Sequence, residues 1–150
     1  GILLTTDFVN LTERIYKKSY INSYSKNYML FFLLFSIGVL AVFYPFSGFI
    51  LSLFSPEYSQ YTSTFLVLTG GVFGILIFRG LYGNLLSALG KAQVNYWIAF
   101  VALLINIPAN YYLIPKYGIL GAAITSAGLM WFSSLSTFVV FKILHNRASK

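Results

Sequence analysis

The stretch from Asn27 to Pro56, NYMLFFLLFSIGVLAVFYPFSGFILSLFSP, decides the fold class, because its 30 residues include no charged side chain. A helix that crosses the hydrocarbon of a bilayer needs about 20 residues at a rise of about 1.5 Å each. Three more uncharged gaps follow, of 21 residues after Glu57, 24 after Lys91 and 25 after Lys116. The sequence predicts an all-α integral membrane protein with four transmembrane helices, over about residues 28–54, 62–89, 94–114 and 119–141.

The composition supports a membrane protein and excludes several chemistries. Of the 150 residues, 58% are hydrophobic and 9% are charged, whereas about a quarter of a soluble domain is charged. The chain has no cysteine and one histidine, so neither a metal centre nor another cofactor is expected. Three scattered acidic residues offer no carboxylate pair for acid–base catalysis. We therefore predict no catalytic residues and no enzymatic activity.

The positive charges predict the orientation of the spans. Lysine and arginine accumulate in cytoplasmic loops, and eight of the ten here flank the spans on one side. Lys116 lies on the opposite side, and Arg79 lies within the second span. Both ends of the segment are predicted to be cytoplasmic, with a basic tail over 142–150. The formal net charge of +7 is thus a signal of topology, and no nucleic-acid partner is expected.

A short elbow, residues 11–27, precedes the first span. Tyr16, Tyr20, Tyr24 and Tyr28 recur every four residues, which places them on one stripe of a helix. Tyrosines and nearby basic residues are typical of a helix that lies in the membrane interface and contacts lipid headgroups. The elbow is predicted to be such an interfacial helix, and a direct role in substrate binding is the alternative.

Arg79 is the candidate residue for ligand binding. It lies about 15 Å from the end of its span at Leu89, inside the hydrocarbon, where a guanidinium costs roughly 2.5 to 3.5 kcal/mol. The predicted spans contain no acidic residue that could pair with it. We expect its partner to be another part of the protein or an anionic ligand, unless the side chain reaches the headgroups by snorkelling. Asn84 follows about one turn later and could share its face.

Span three carries a second polar group. Asn106 and Asn110 are four residues apart and so lie on one helical face, and Pro108 between them removes a backbone hydrogen bond. This arrangement predicts either the wall of a polar cavity or interhelical hydrogen bonds without a ligand.

Small residues predict where helices pack closely. They are concentrated in span two and at the start of span four, where the lack of large side chains lets a neighbouring backbone approach. The helix-packing candidates are Gly70, Gly74, Gly118, Gly121 and Ala122.

The stretch NIPANYYLIPKYGILGAAIT, residues 106–125, resembles a signature of the bacterial polysaccharide flippases. These proteins transport O-antigen, capsule and similar lipid-linked repeat units, in a superfamily that also includes multidrug exporters and lipid II flippases. The Ser-Pro-Glu-Tyr turn at 55–58 and the sequence LLSALGK at 85–91 agree with the resemblance.

The resemblance implies a larger architecture and a function. Members have two lobes of six helices, so the four spans would be the ninth to twelfth helices, in the C-terminal lobe, and the residues before Leu11 would end the eighth. The implied activity is the movement of an undecaprenyl-diphosphate-linked oligosaccharide across the bacterial inner membrane, by alternating access driven by ions or membrane potential. The implied partners are that substrate, membrane lipids, the remaining helices and the polysaccharide polymerase machinery.

Within that resemblance, Arg79 would receive the diphosphate, and Asn84, Asn106 and Asn110 would suit sugar hydroxyls. Three alternatives stay open: a lipid II flippase, a multidrug exporter, and a four-helix membrane scaffold that transports nothing. The superfamily's drug exporters often use an intramembrane acidic residue, which these spans lack.

Overall fold

The computed structural model describes residues 9–148, and the regular elements of that part are all helical. Residues 9–14 are helical, and the backbone leaves the helix at 15–17. The elements that follow are α1 (Lys18–Ser52), a 3-10 helix (Pro56–Tyr61), α2 (Thr62–Gly74), a π turn (Ile75–Arg79), α3 (Gly80–Ala88), α4 (Gln93–Tyr117) and α5 (Ile119–Ala148).

Four helices are long and apolar enough to cross a membrane, which confirms the predicted fold class. Span one is α1, span two is the nearly continuous helix Pro56–Ala88, span three is α4 and span four is Ile119–Arg147. Large apolar side chains point outward; Phe31 and Phe49, for example, are 63% and 64% exposed. The hydroxyl side chains of Ser36 and Thr137 are instead buried between helices. This distribution suits a protein whose solvent is lipid.

The elbow and span one form one structure after the break at 15–17. Residues 18–27 are the first turns of α1, which is 35 residues long in total. The rings of Tyr20 and Tyr24 stack with a centroid distance of 6.3 Å, and Tyr28 follows 6.5 Å from Tyr24. The tyrosine stripe therefore continues along the helix directly into the span.

Span four lies between spans two and three. On one side, a β-carbon at Gly71 would lie 2.7 Å from the Cα of Ala127, so spans two and four are in backbone contact. On the other side, Gly121 faces the carbonyl group of Leu113 in span three. Spans two and three are joined near their connection, where the side-chain amide of Asn95 donates to the carbonyl of Gly83 over 3.1 Å.

A buried apolar core lies at the elbow end of the bundle. Leu11 and Ile15 of the elbow pack there among α3 and the last turns of span four, represented by Leu85 and Phe141. His145, which is 3% exposed, stacks on the ring of Phe141. Its Nε2 donates to the carbonyl of Ile15 over 2.8 Å, since a carbonyl can only accept. We call this contact the elbow clasp.

The end of span three differs from the expectation of a loop over residues 115–118. Helix α4 continues through Pro108 and Pro115 to Tyr117. The chain turns at Gly118, whose φ of 57° is a conformation that glycine adopts without steric cost. A single glycine therefore separates spans three and four.

Candidate functional site

Arg79 occupies the last position of the π turn in span two. The turn is preceded by Gly74 and followed by Gly80, in the glycine-rich stretch for which the sequence predicted close helix packing. Nine helical steps separate Arg79 from Ala88, which places the arginine about 14 Å from the end of the span. Its side chain is partly buried, and within residues 9–148 its guanidinium makes no hydrogen bond or ion pair. An uncompensated cation thus lies within the second span.

Asn84 does not share a face with Arg79. Five residues of α-helix separate the two positions, which turns their side chains about 140° apart. The side chain of Asn84 is exposed, whereas that of Arg79 is partly buried. The two polar groups of span two therefore point in different directions.

Asn106 and Asn110 do lie together on span three. The Nδ2 of Asn110 donates to the Oδ1 of Asn106 over 2.9 Å, across the helical turn that contains Pro108. The Oδ1 of Asn110 is buried, and nothing in the described part of the chain donates to it. The pair thus offers a free amide acceptor in a position where unsatisfied acceptors are uncommon.

The structure divides the predicted substrate residues between two helices. Arg79 and Asn84 are in span two and the amide pair is in span three, while span four lies between these helices. None of the four lines either of two cavities, of 880 and 310 Å³, that the described residues form.

The helix-packing candidates differ in their surroundings. A β-carbon at Gly74 would lie 2.9 Å from the indole of Trp131, and one at Gly121 would meet the Leu113 backbone. At Gly70 and Gly118 it would meet nothing within 4 Å. The backbone carbonyl of Gly70 accepts a hydrogen bond from the indole Nε1 of Trp131 over 3.0 Å. Gly118 matters for its positive φ, which turns the chain between spans three and four. Ala122 is partly buried.

The larger cavity, of 880 Å³, lies between span one and spans two and four. Its polar end carries Asn22, Lys26 and Lys142, and the Nζ of Lys142 donates to the Oδ1 of Asn22 over 3.4 Å. Sequence reasoning missed this group, because it used both lysines only as markers of topology. The remaining lining residues are Ser25, Met29, Leu30, Leu33, Ile77, Phe78, Tyr82, Trp131 and Phe138.

The MatE family model matches residues 17–112, which is well over half of the chain. The chain belongs to the MatE family. MatE proteins are transporters of the superfamily that the resemblance of residues 106–125 indicated, so that assignment is confirmed at the level of the superfamily. The family and the four apolar helices together indicate a multi-pass membrane protein.

Two relatives extend the comparison. An uncharacterized membrane protein of Methanocaldococcus jannaschii is 29% identical over 87% of this MatE chain and 26% of its own length. The capsular polysaccharide biosynthesis protein CapF of Staphylococcus aureus is 32% identical over 60% of the chain and 22% of its own length. The chain thus spans about a quarter of the length of these relatives. No solved structure matches it significantly.

Proposed function

We propose that the protein to which this MatE segment belongs moves a polyprenyl-diphosphate-linked oligosaccharide across the bacterial inner membrane for the synthesis of a surface polysaccharide. In this proposal the segment contributes the last four of twelve helices, with both of its ends in the cytoplasm. Ion gradients or membrane potential drive the alternation between inward-open and outward-open states. The similarity to CapF, named for capsular polysaccharide biosynthesis, supports this class of substrate over drugs.

Arg79 is the observation that carries the proposal. Its guanidinium lies about 14 Å inside span two and has no partner among residues 9–148. A charge at that depth is tolerated where it meets a counter-charge or a water-filled cavity. A diphosphate supplies two negative groups, and the planar guanidinium can hold two of their oxygens at once.

The amide pair of span three has a separate role in the proposal. The buried Oδ1 of Asn110 accepts a hydrogen bond from a sugar hydroxyl, while its Nδ2 is held by Asn106. Since span four separates this pair from Arg79, the proposal places the sugar and the diphosphate at different points of the transport path rather than in one pocket.

The test measures surface polysaccharide in a flippase-null strain that carries each variant at matched expression. Arg79→Ala should reduce surface polymer about tenfold or more, since a hydrogen bond to a charged group contributes about 1.5 to 3 kcal/mol. Arg79→Lys should retain part of the activity, because it keeps the charge and loses the two-point contact. Membrane insertion should be unaffected by either variant.

Lys91→Ala is the matched control, because Lys91 is an exposed cation in the connection that follows span two. It should leave surface polymer unchanged. Normal polymer with Arg79→Ala would contradict an anion-binding role and favour snorkelling of this side chain to the headgroups. Loss of lipid II export instead of surface polymer would favour the peptidoglycan-precursor flippase.

A further inference from the structure

The 880 Å³ cavity is a groove made by two regular stripes of side chains. On span one the lining residues recur from Asn22 to Leu33 with the spacing of one helical face, and on span four they run from Trp131 to Lys142 in the same way. Span two closes the back of the groove with apolar and aromatic residues, among them Phe78.

The charge of the groove is confined to one end. Lys26 and Lys142 lie there beside Asn22, and none of the described residues that line the groove is acidic. Beyond Lys26 the lining is apolar except for the hydroxyl of Tyr82, which donates to the sulfur of Met29, and its far end is formed by Leu33 and Trp131. The groove is therefore cationic at the elbow end and hydrophobic over the rest of its length.

The length of the groove matches one leaflet. Eleven residues separate Trp131 from Lys142, which is about 16 Å along the helix, and half of a hydrocarbon core of about 30 Å is about 15 Å. A molecule with a negative group at the elbow end and an apolar tail toward the bilayer centre complements both parts of this groove. Lys26 is exposed and Lys142 is partly buried, so both ammonium groups lie where a lipid headgroup can reach them.

We propose that this groove binds an anionic phospholipid from the leaflet on the elbow side. Lys26, Lys142 and the amide of Asn22 hold its phosphate, and an acyl chain lies along Met29 and Leu33 toward Trp131. The site is separate from Arg79, which does not line the groove. It goes beyond the proposed transport function, because it assigns a bound membrane lipid that is not carried across.

The experiment uses the whole purified protein in vesicles that contain phosphatidylglycerol with a photoactivatable diazirine in its acyl chain. Cross-linked peptides are identified by mass spectrometry, and a phosphatidylcholine probe with the same acyl chain is the lipid control. The phosphatidylglycerol probe should label the peptides of residues 29–33 and 131–138, several times more strongly than the zwitterionic probe. Lys26→Gln and Lys142→Gln should each lower that labelling about fivefold, since one lysine is removed from the headgroup in each.

Lys91→Gln is the protein control, because Lys91 is exposed and lies outside the groove. Labelling of the exposed ring of Trp97 on span three serves as the reference for correct insertion of every variant. Equal labelling by the two probes, or labelling that neither lysine variant reduces, would overturn the proposal. The absence of label from both groove peptides would also overturn it, and would indicate a protein segment as the occupant.

Discussion

The Cα of Gly121 faces the backbone of span three, with no room for a side chain. A β-carbon there would lie 2.6 Å from the carbonyl carbon of Leu113 and 3.0 Å from the amide nitrogen of Ile114. Because both atoms belong to the backbone, the helices must separate to admit even alanine. Gly121→Ala should destabilise the protein by about 1 to 3 kcal/mol, the usual cost of overpacking, and lower its melting temperature in detergent.

Gly128→Ala is the control for that measurement, because Gly128 is in the same helix and its β-carbon would meet nothing within 4 Å. It should be neutral, or stabilising by about 0.5 to 1 kcal/mol, since alanine is the better helix former. Equal melting temperatures for the two variants would show that spans three and four are not in backbone contact.

Sequence reasoning distinguishes some residues of this segment and not others. The shared face of Asn106 and Asn110 follows from their spacing, because positions i and i+4 are neighbours in any helix, although the hydrogen bond between the two amides was not predicted. The difference between Gly70, Gly118 and Gly121 does not follow, because it depends on which helix lies opposite and at what distance. Residue spacing predicts which side chains are neighbours within one helix. Contacts between helices can be identified only from the structure of the assembled bundle.

The π turn over Ile75–Arg79 takes up one more residue than a regular helical turn. Deletion of Leu76 should convert this π turn into a regular α-helical turn. Helices α2 and α3 should then keep the same side chains in contact with span four and the elbow core. The melting temperature of the deletion variant should therefore be close to that of the unmodified protein.

Deletion of Leu68, a residue of the same type and burial class in α2, is the matched comparison. It removes a residue from a regular helix, so the preceding turns rotate by about 100° relative to those that follow. Phe65 would then lose its contact with Phe43 of span one, and the melting temperature should fall. If both deletions destabilise the protein equally, the π turn is not a removable insertion.

The four spans could be predicted from the sequence because each must satisfy its own backbone hydrogen bonds in lipid and be apolar throughout. Their ends were harder to predict. Ser55 and Pro56 do interrupt the chain after span one, but Pro115 lies within α4. Proline ends a helix only where the carbonyl group that it leaves unpaired finds no other hydrogen-bond partner, and the available partners depend on the neighbouring helices.

For the segment as a whole, the charge distribution predicts that the connection between spans one and two lies outside and the end of span four inside. These 150 residues include no cysteine, so single cysteines introduced here report position directly once any cysteine elsewhere in the protein has been replaced. Ser59→Cys should react with a membrane-impermeant maleimide on intact spheroplasts, and Asn146→Cys only after permeabilisation; both positions are exposed. Reaction of both cysteines on intact spheroplasts would contradict the orientation.

The sequence did not predict which spans pack against each other. Hydropathy acts on each segment separately, so it gives no information on which spans touch. Lys26 and Lys142 were predicted to flank spans one and four, and the sequence does not show that residues so far apart along the chain line one groove. Their common predicted side of the membrane was the available signal.

The elbow clasp joins residues 130 positions apart, near the two ends of the described chain. During synthesis, Ile15 leaves the ribosome long before His145 has been made, so the hydrogen bond cannot form until all four spans have been translated. Until then Leu11 and Ile15 lack the partner that Phe141 provides. A nascent chain that stops short of the last turns of span four therefore lacks both the elbow clasp and the apolar partner of Leu11 and Ile15.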